Sequence, residues 1–362
     1  MSIAPRLFST ARAAQQSVLP LKQAWLKLRW TAARQTILPM VLPVLMVFPT
    51  SAWAAGPTQS SPAAGKSAWD QSNENRNGDK YIYQFPYDAQ VADITVSEPG
   101  GPGKKEKTIH LIARGKVPIP KHCALNVELR YDGPEHIETL DQLEPYLITQ
   151  FSAAKLEFDD KQLAHLKKFK NLATLDLRET LVSEKSLPLI GSFPNLWFLR
   201  LNSTDITGSG FDALSNLHNL SKLDLEGIRL QQGTVAKLKP LAAGLHSLNV
   251  SKTGLTKVDM ATIGEFHSLI HLDLSGNKLI DSDCANKYLP SLVKLETLDI
   301  ADTTITEASL AVIDKLPRLK RVIIRNQQFW TSGKPQKSKA GITFRDCATD
   351  TRMPIEVFGP LH

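Results

Sequence analysis

The sequence predicts an α/β solenoid in which short parallel strands alternate with short helices. Leucines recur at intervals of 24, 24, 25, 24, 26 and 24 residues, at Leu172, Leu196, Leu220, Leu245, Leu269, Leu295 and Leu319. Apolar and polar residues alternate just after each of these leucines, which is the period of a strand with one buried face. Apolar residues three apart then follow, as in Leu187, Ile190 and Phe193, which indicates a helical return segment. Because one such unit cannot bury its own apolar side, stacked units must share a core.

The repeated segment reads LATLDLRETLV, LWFLRLNSTDI, LSKLDLEGIRL, LHSLNVSKTGL, LIHLDLSGNKL and LETLDIADTTI. This pattern resembles the leucine-rich repeat family, specifically its exported bacterial form of about 24 residues in which Thr often replaces Asn. The resemblance covers Leu172 to Trp330, and a degenerate copy precedes it from Ile148, so the repeats are predicted over residues 148–330. It implies a solenoid with parallel strands on the concave face and short helices on the convex face.

Polar residues recur where each predicted strand turns, at Thr180, Thr204, Thr253, Asn277 and Thr303. A hydroxyl or amide at this position can bond to backbone groups of its own coil and of the adjacent coil. Ile228 interrupts this ladder, and we expect a weak point there.

Residues 1–54 have the composition of a secretory signal peptide. Six basic residues precede Ala54, and the first acidic residue is Asp70. An apolar run from Ile37 to Phe48 leads to the cleavage-site triplet Ala52-Trp53-Ala54. As a helix that run would reach roughly 18 Å, against about 30 Å of bilayer hydrocarbon. We therefore expect an exported protein, located in the periplasm, on the cell surface or in the medium; an uncleaved membrane anchor and a mitochondrial transit peptide are the alternatives.

Removal of this leader would remove most of the excess positive charge. The whole chain has 43 basic and 36 acidic side chains, whereas residues 55–362 have 37 and 36. A nearly neutral chain gives no electrostatic reason to expect a nucleic-acid partner. A membrane partner is expected only if the leader is retained.

The remaining segments flank the repeats. Residues 55–80 predict a disordered linker, because Ser, Pro, Gly and Asn dominate them. Residues 81–147 predict a β-rich N-terminal cap, from the strand-like runs YIYQF, VADITV, TIHLIARGKV and ALNVELRY, the turn-like runs EPGGPGKKEK and PIPKHC, and a helix over His136–Leu147. A separate β-sandwich over residues 81–131 is the alternative. Residues 331–362, with the strand-like GITFRDC, predict a C-terminal cap or tail.

The candidate binding surface is the concave side of the predicted sheet. One column of this side reads Asp176, Arg200, Asp224, Asn249, Asp273, Asp299 and Ile323. With strands about 4.8 Å apart, Arg200 can pair with Asp176 and Asp224, while Asp273 and Asp299 lie side by side. These carboxylates are interpreted either as an acidic site for a basic protein segment or a metal ion, or as solvated residues of an ordinary repeat.

Aromatic and arginine side chains extend this candidate surface. Trp197 and Phe198 interrupt polar positions of their strand, and Arg321, Arg325 and Trp330 cluster near the last coil. Such residues commonly anchor protein interfaces, although they could equally fill the core or cover the end of the stack. The candidate surface comprises Asp176, Phe198, Arg200, Asp224, Asp273, Asp299, Arg321 and Arg325.

The sequence contains no recognisable catalytic motif and no cluster with metal-ligand spacing. His218 and His267 fall two coils and roughly 10 Å apart, too far to share a metal ion. Cys284 occupies an apolar position, and Cys123 and Cys347 belong to opposite ends of the stack, so we expect no disulfide. We predict a non-enzymatic protein, without cofactor or metal, that binds a protein or peptide; a cell-envelope structural or carbohydrate-binding protein is the alternative.

Overall fold

The computed structural model describes residues 79–99, 107–332, 338 and 340–346. All of them belong to one compact unit. The predicted signal peptide, the linker up to residue 78 and Cys347 lie outside the described residues.

Fourteen strands, all short, are present in the described residues. They are β1 Lys80–Gln84, β2 Ala92–Glu98, β3 Lys107–Ile112, β4 Lys116–Pro120, β5 Ala124–Leu129, β6 Ile148–Ser152, β7 Thr174–Asp176, β8 Phe198–Arg200, β9 Lys222–Asp224, β10 Ser247–Asn249, β11 His271–Asp273, β12 Thr297–Asp299, β13 Arg321–Ile324 and β14 Thr343–Asp346.

The helical segments between the strands are equally short. The α-helices are Asp160–Leu163, Leu187–Ile190, Lys257–Ile263, Ser282–Tyr288, Leu310–Ile313 and Asn326–Phe329, and the 3₁₀ helices are Pro134–Gln142, Ala164–Lys168, Glu184–Ser186, Phe211–Leu214, Thr234–Leu241, Leu289–Ser291 and Glu307–Ser309. None of the helices in the described ranges is long and apolar enough to cross a bilayer.

Twelve strands form one sheet, in the order β3-β2-β5-β6-β7-β8-β9-β10-β11-β12-β13-β14. Neighbours from β5 to β14 pair in parallel, whereas β2 pairs antiparallel with both β3 and β5. A helical segment separates each parallel strand from the next, so the chain winds as a solenoid. The fold is the predicted α/β solenoid, with the strands on one side of each coil and the helices on the other.

The predicted 24- to 26-residue repeat places equivalent residues in direct register. Leu175 pairs with Leu199, and the same column continues through Leu223, Leu248, Leu272, Leu298 and Val322. These side chains are fully or almost fully buried, and the helix residues Leu187 and Ile190 are buried with them. The core is therefore a continuous column of apolar layers, each supplied by one coil.

The turn ladder is present, but its threonines and its asparagine make different hydrogen bonds. The hydroxyls of Thr180, Thr204, Thr253 and Thr303 each donate to the carbonyl oxygen three residues earlier, in the same coil. Asn277 donates both to Leu274 O in its own coil, at 2.9 Å, and to Val250 O in the preceding coil, at 2.8 Å. Its Oδ1 also accepts from three backbone N–H groups of that preceding coil, at residues 253–255. The amide thus joins two coils, whereas the hydroxyls mainly close their own turns.

A left-handed residue follows each strand from β6 to β12, at a position that the sequence analysis did not single out. The equivalent residues Lys155, Glu179, Ser203, Gly227, Lys252, Gly276 and Asp302 have φ between 54° and 73°. Residues other than glycine rarely adopt this conformation. Its regular recurrence shows that these seven coils turn with the same backbone geometry.

Carboxylates on the helix side also bond from one coil to the next. Glu184 accepts from the backbone N–H groups of Thr207, at 2.6 Å, and Gly210, at 2.7 Å. Asp160 accepts in the same way from Ser183 N–H at 2.8 Å. Burial acts to raise the pKa of Glu184, but these hydrogen bonds outweigh it and leave the pKa below its ordinary value.

The N-terminal region extends the sheet and corrects two details of the sequence interpretation. The run TIHLIARGKV forms two strands rather than one, because Gly115, with φ of 63°, turns the chain between β3 and β4. The run PIPKHC was interpreted as a turn, yet Pro118 and Pro120 lie in β4. Their lack of an N–H group is tolerated because β4 pairs only with β1, outside the main sheet.

The helix predicted over His136–Leu147 is a shorter 3₁₀ helix, Pro134–Gln142. It ends at Leu143, which is extended, because Glu144 precedes Pro145 and a residue before proline disfavours helical geometry. The apolar residues that suggested the helix, Ile137, Leu140 and Leu143, are nevertheless all buried.

At the other end, strand β14 arises from the run GITFRDC and pairs in parallel with β13. Phe344 of this strand packs against Phe329 and Trp330, with ring centroids 5.5 and 5.4 Å apart. Trp330 and Phe329 are buried. The Trp330 group therefore covers the last coil instead of projecting from the concave surface.

Candidate binding face

The strand side of the solenoid presents two columns of side chains, which together form the inner face. They are the third-position residues Thr174, Phe198, Lys222, Ser247, His271, Thr297 and Arg321, and the fifth-position residues Asp176, Arg200, Asp224, Asn249, Asp273, Asp299 and Ile323. Residues within a column are direct neighbours on adjacent strands, about 4.8 Å apart. All candidate residues from the sequence analysis except Arg325 belong to these columns.

The fifth-position carboxylates shape the turns as well as carrying charge. Oδ1 of Asp273 accepts from Ser275 N–H, and Oδ1 of Asp299 accepts from Ala301 N–H, each at 2.9 Å. Asn249 makes the same bond to Ser251 N–H at 2.9 Å. A side-chain acceptor two residues before an N–H group is a typical turn-forming arrangement. The carboxylates are thus held in place by the backbone and are more than solvated residues.

Arg200 forms an ion pair with only one of its two expected partners. Its Nη1 lies 3.2 Å from Oδ2 of Asp176, which also contacts Nε of Arg178 at 3.4 Å. Asp224 instead accepts hydrogen bonds from the side chain of Asn202 and the backbone of Glu226. Burial raises the pKa of Asp224 to about 6 despite these bonds and the positive charge of Arg200.

Asp273 and Asp299 lie side by side, as the repeat spacing predicts. Neither forms a salt bridge with a described residue, whereas the nearby Glu226 pairs with Lys252, and Asp302 pairs with Arg325. Burial, followed by repulsion from Asp273, raises the pKa of Asp299 to about 8. Burial also raises the pKa of Asp273. Ionisation of these two half-buried carboxyl groups is therefore disfavoured.

Phe198 lies in the inner face but is 1% exposed, so it is a packed residue and not a projecting anchor. The guanidinium of Arg200 stacks 4.5 Å from its ring centroid, and the ring centroid of Trp197 lies 5.8 Å from it. Lys222 Nζ approaches the rings of Trp197 and Phe198 at 5.5 and 5.7 Å. Cations at such distances are attracted by aromatic rings. The two aromatic side chains therefore hold two cations on neighbouring strands.

Lys222 is the main residue of this face that the sequence analysis missed. Its side chain is 1% exposed, and burial followed by repulsion from Arg200 lowers its pKa to about 8. The signal was available in the third-position column, since Lys222 falls between Phe198 and Ser247 by repeat spacing alone.

Several polar atoms on and around the inner face have no hydrogen-bond partner in the structure. They are Thr174 Oγ1, Arg178 Nε, Arg200 Nε, Asn202 Oδ1, Ser247 Oγ and His271 Nδ1, six of nine such buried atoms among the described residues; of these, Arg178 Nε has an ion-pair contact with Asp176 but no hydrogen bond. Ser247 is fully buried, and burial followed by the charge of Lys222 lowers the pKa of His271. Buried polar atoms usually have partners, so their concentration on one face is informative.

The two arginines near the last coil are placed differently. Arg321 lies in the third-position column beside Thr297 and is half-buried. Arg325 follows β13 and forms a bidentate pair with Asp302, one of whose bonds is the Nη2–Oδ2 contact of 2.8 Å. Arg325 is therefore at the rim of the inner face, engaged with the preceding coil.

The histidines and cysteines are distributed without a shared site. His267 Nδ1 lies 3.1 Å from Ser291 O. No group of three or more His, Cys, Asp or Glu side chains is placed to hold a metal ion within the part of the chain that the structure describes. Cys123 and Cys284 are buried free thiols, and burial raises the pKa of Cys123 to about 11.

The repeat period, the in-register leucine column and the one-sided strands together decide the architecture. The fold is a leucine-rich-repeat solenoid.

No protein-family model matches the chain. Part of the chain is similar to keratocan from Gallus gallus and from Coturnix japonica, at 28% identity over 133 residues in each case. The match covers 36% of this chain, and the chain spans only 36% of the length of these curated relatives.

One solved structure similar to this solenoid is an internalin from Listeria monocytogenes. The two share 17% sequence identity with a TM-score of 0.42, over 62% of this chain and 66% of the internalin chain.

Proposed function

We propose that this chain is an exported, non-enzymatic recognition protein that binds a protein or peptide on its inner face. The observation that supports this proposal is the set of unpartnered polar atoms on and beside strands β7, β8, β10 and β11. A buried donor or acceptor without a partner costs about 1–3 kcal/mol, and a bound peptide offers the missing backbone and side-chain partners.

The charge distribution of the face favours a polar partner over an apolar one. Arg200 stacks on the buried Phe198, and three further half-buried polar or charged side chains, His271, Asp273 and Arg321, lie on strands β11 and β13 of the same face. Aromatic and arginine side chains are enriched in protein interfaces, which have a polar rim.

A displayed library of random peptides, selected against the full-length chain, tests this function. We expect enriched peptides whose binding is weakened by Arg200→Ala and by His271→Ala. The matched control is Lys315→Met, at an exposed position on the helix side. The proposal would be contradicted if no peptide were enriched or if only the control variant lost binding. Preferential binding to isolated envelope polysaccharide would also contradict it and would favour the carbohydrate-binding alternative.

Export is proposed from the leader sequence at residues 1–54. The basic, acid-free start, the short apolar run and the Ala52-Trp53-Ala54 triplet support cleavage after Ala54. N-terminal sequencing of the protein recovered from its host tests this: we expect a chain that starts at Ala55, and an intact N-terminus in the membrane fraction would instead indicate an anchor.

Residues 81–147 and 331–362 are proposed as caps of the solenoid, since each contributes to an end of its sheet.

A further inference from the structure

Strand β3 forms one edge of the 12-stranded sheet and pairs only with β2 among the described strands. The bond from Ala113 N–H to Ala92 O, at 2.8 Å, closes the ladder between these two strands. Bonded positions alternate along an antiparallel strand, so every second residue of β3 directs its backbone N–H and C=O groups away from β2. These outward residues are Thr108, His110 and Ile112.

The outward backbone groups of β3 are open to another strand. Within the described ranges, the one backbone bond that reaches them runs from Arg114 N–H to Ile112 O, at 2.9 Å. A carbonyl oxygen has two lone pairs, so Ile112 O can accept a second bond. The edge therefore offers a row of alternating donors and acceptors.

This edge lacks the protection found at other strands of the described sheets. Edge strands are commonly blocked by proline or by charged side chains. Strand β4 contains Pro118 and Pro120, and β14, at the opposite edge of the main sheet, ends with Arg345 and Asp346. Strand β3 has six residues and no proline, and its only Lys, Arg, Asp or Glu is Lys107 at its first position.

The side chains of β3 leave apolar surface uncovered. Ile109 and Leu111 lie opposite the buried Val96 and Ile94 of β2, on the core side, and are only half-buried. Ile112, on the other side of the strand, is 55% exposed. Open backbone groups combined with exposed apolar side chains make an edge strand a template for pairing.

The rest of this chain is poorly suited to cover the edge. Residues 55–78 contain few of the residue types that favour strands. Residues 347–362 follow β14, which lies eleven strand spacings from β3, roughly 53 Å along the sheet at about 4.8 Å per spacing. These sixteen residues cover that distance only when fully extended, which leaves none to pair with β3.

A second copy of β3 matches the edge in its backbone groups. When two such strands run antiparallel about a two-fold axis at His110, the outward groups of His110 meet those of the partner's His110. The outward groups of Thr108 then meet those of the partner's Ile112, and the reverse. Each of these three pairs exchanges two backbone hydrogen bonds.

The same register also matches side chains and charges. Ile109 lies opposite the partner's Leu111 on the core side, so apolar side chains meet apolar side chains. Lys107 lies opposite the partner's Ala113, so no Lys, Arg, Asp or Glu of β3 opposes a like charge. The strand is therefore complementary to itself in this one register.

We propose that this chain forms a two-fold symmetric dimer in which β3 pairs antiparallel with β3 of a second copy. The two 12-stranded sheets join at this edge, and their core sides lie on the same side of the joined sheet because the axis is perpendicular to it. The dimer does not depend on what the inner face binds.

Sedimentation velocity of the full-length chain at a series of concentrations tests the dimer, and charge exchange at His110 tests its position. We expect the unmodified chain to dimerise. His110→Asp and His110→Lys, at an exposed position, should each raise the dissociation constant about tenfold or more, because like charges then oppose each other across the axis. An equimolar mixture of the two variants should restore the dimer. Thr343→Asp, at an exposed position of β14, is the matched control and should change nothing.

Disulfide trapping tests the register. Opposite residues of a bonded antiparallel pair have Cα atoms about 5.5 Å apart, within the range of a disulfide. His110→Cys should therefore cross-link with itself under mild oxidation. Thr108→Cys should not cross-link with itself, but it should do so when mixed with Ile112→Cys.

A monomer at every concentration, together with no cross-linking of His110→Cys, would overturn the proposal. A dimer that persists in His110→Asp but is lost in Thr343→Asp would also overturn it and would place the contact at β14. Self-cross-linking of Thr108→Cys without that of His110→Cys would contradict the register. Peptide binding by the inner face is measured separately, so none of these results decides the proposed function.

Discussion

At the residue scale, Asp299 combines a structural bond with an electrostatic cost. Its Oδ1 accepts from Ala301 N–H at 2.9 Å, which holds the turn after β12. Its negative charge is nevertheless disfavoured, because the side chain is partly buried beside Asp273 and its pKa is raised to about 8. An asparagine would keep the acceptor and remove the charge.

We therefore expect Asp299→Asn to stabilise the protein in a pH-dependent way. The pKa of this carboxyl is higher in the folded chain, about 8, than its ordinary value of 3.8, so the folded state holds the proton more tightly. Its contribution to stability is complete below about pH 4 and is lost as the pH rises towards 8. The variant should match the parent protein near pH 4 and exceed it by about 1–2 kcal/mol at pH 8.

Urea unfolding at pH 4, 6 and 8 checks this expectation, with Asp283→Asn as the control for simple removal of a negative charge. If the free energies of unfolding of Asp299→Asn and the parent differed by the same amount at all three pH values, the pair of neighbouring carboxylates would not destabilise the folded protein.

The residue scale is also where sequence reasoning was least complete. Repeat spacing predicted that Asp273 and Asp299 are neighbours, because residues one repeat apart lie side by side on adjacent parallel strands. Repeat spacing did not predict that Arg200 pairs with Asp176 and not with Asp224. Asp224 accepts a hydrogen bond from Asn202, which lies in a turn whose conformation the repeat pattern does not specify. The burial of Phe198 depends in the same way on side chains packed around it.

At the element scale, the turn ladder makes some junctions between coils more stable than others. Asn277 accepts from three backbone N–H groups of the preceding coil, whereas a threonine hydroxyl at the same place closes its own turn. We expect Asn277→Thr to cost about 3 kcal/mol or more, because buried N–H groups lose their acceptor. Thr180→Val, which removes a single bond, should cost about 1 kcal/mol. Equal losses in urea unfolding would show that the cross-coil bonds do not stabilise the fold.

Two other threonines give a sharper comparison. Thr204→Val leaves Leu201 O without the hydroxyl that donates to it at 2.8 Å. Thr253→Val leaves Val250 O with a remaining donor, Nδ2 of Asn277. We expect a loss of about 1 kcal/mol for Thr204→Val and a smaller loss for Thr253→Val. Thermal melts of the two variants check the order, and the reverse order would contradict it.

Ile228, the predicted weak point of the ladder, is fully buried. Its N–H donates to Leu225 O at 3.2 Å, the carbonyl that a threonine hydroxyl would use. Ile228→Thr therefore adds a second donor to this oxygen and removes buried apolar surface, and we expect a net change within about 1 kcal/mol. A loss of several kcal/mol in urea unfolding would show that the apolar side chain is essential there.

The elements that sequence analysis misjudged share a local cause. Gly115 and Pro145 impose backbone geometry that hydrophobic periodicity does not report, and they end β3 and the 3₁₀ helix earlier than the apolar pattern suggests. The repeats themselves were predictable, because seven equivalent leucines specify one period. The left-handed position after strands β6 to β12 was not predicted, because Lys252 and Glu179 are unusual occupants of that conformation.

At the scale of the whole molecule, each coil contacts mainly its neighbours, so the ends of the stack need covering. Trp330 packs 4.8 Å from Phe329 and 5.4 Å from Phe344, between ring centroids, and is buried. We expect Trp330→Ala to cost about 3 kcal/mol and to open the C-terminal coils first.

Hydrogen exchange followed by mass spectrometry checks the location of this effect. Amides of β13 should exchange faster in Trp330→Ala, while those of β7 to β9 should keep the parent rate under native conditions. Uniform acceleration along the sheet would show that the solenoid unfolds as one cooperative unit.

The bonds of Asn277 also have a mechanical consequence. A force that pulls the two ends of a solenoid apart loads its coil junctions one after another, so the weakest junction separates first. At the turn position, the junction between β10 and β11 carries five side-chain bonds that reach across it, while the threonines at the turns of β7, β8 and β12 close their own coils. Under tension, the coils of β10 and β11 should remain joined after the outer coils have peeled away, as a compact unit near the middle of the extended chain.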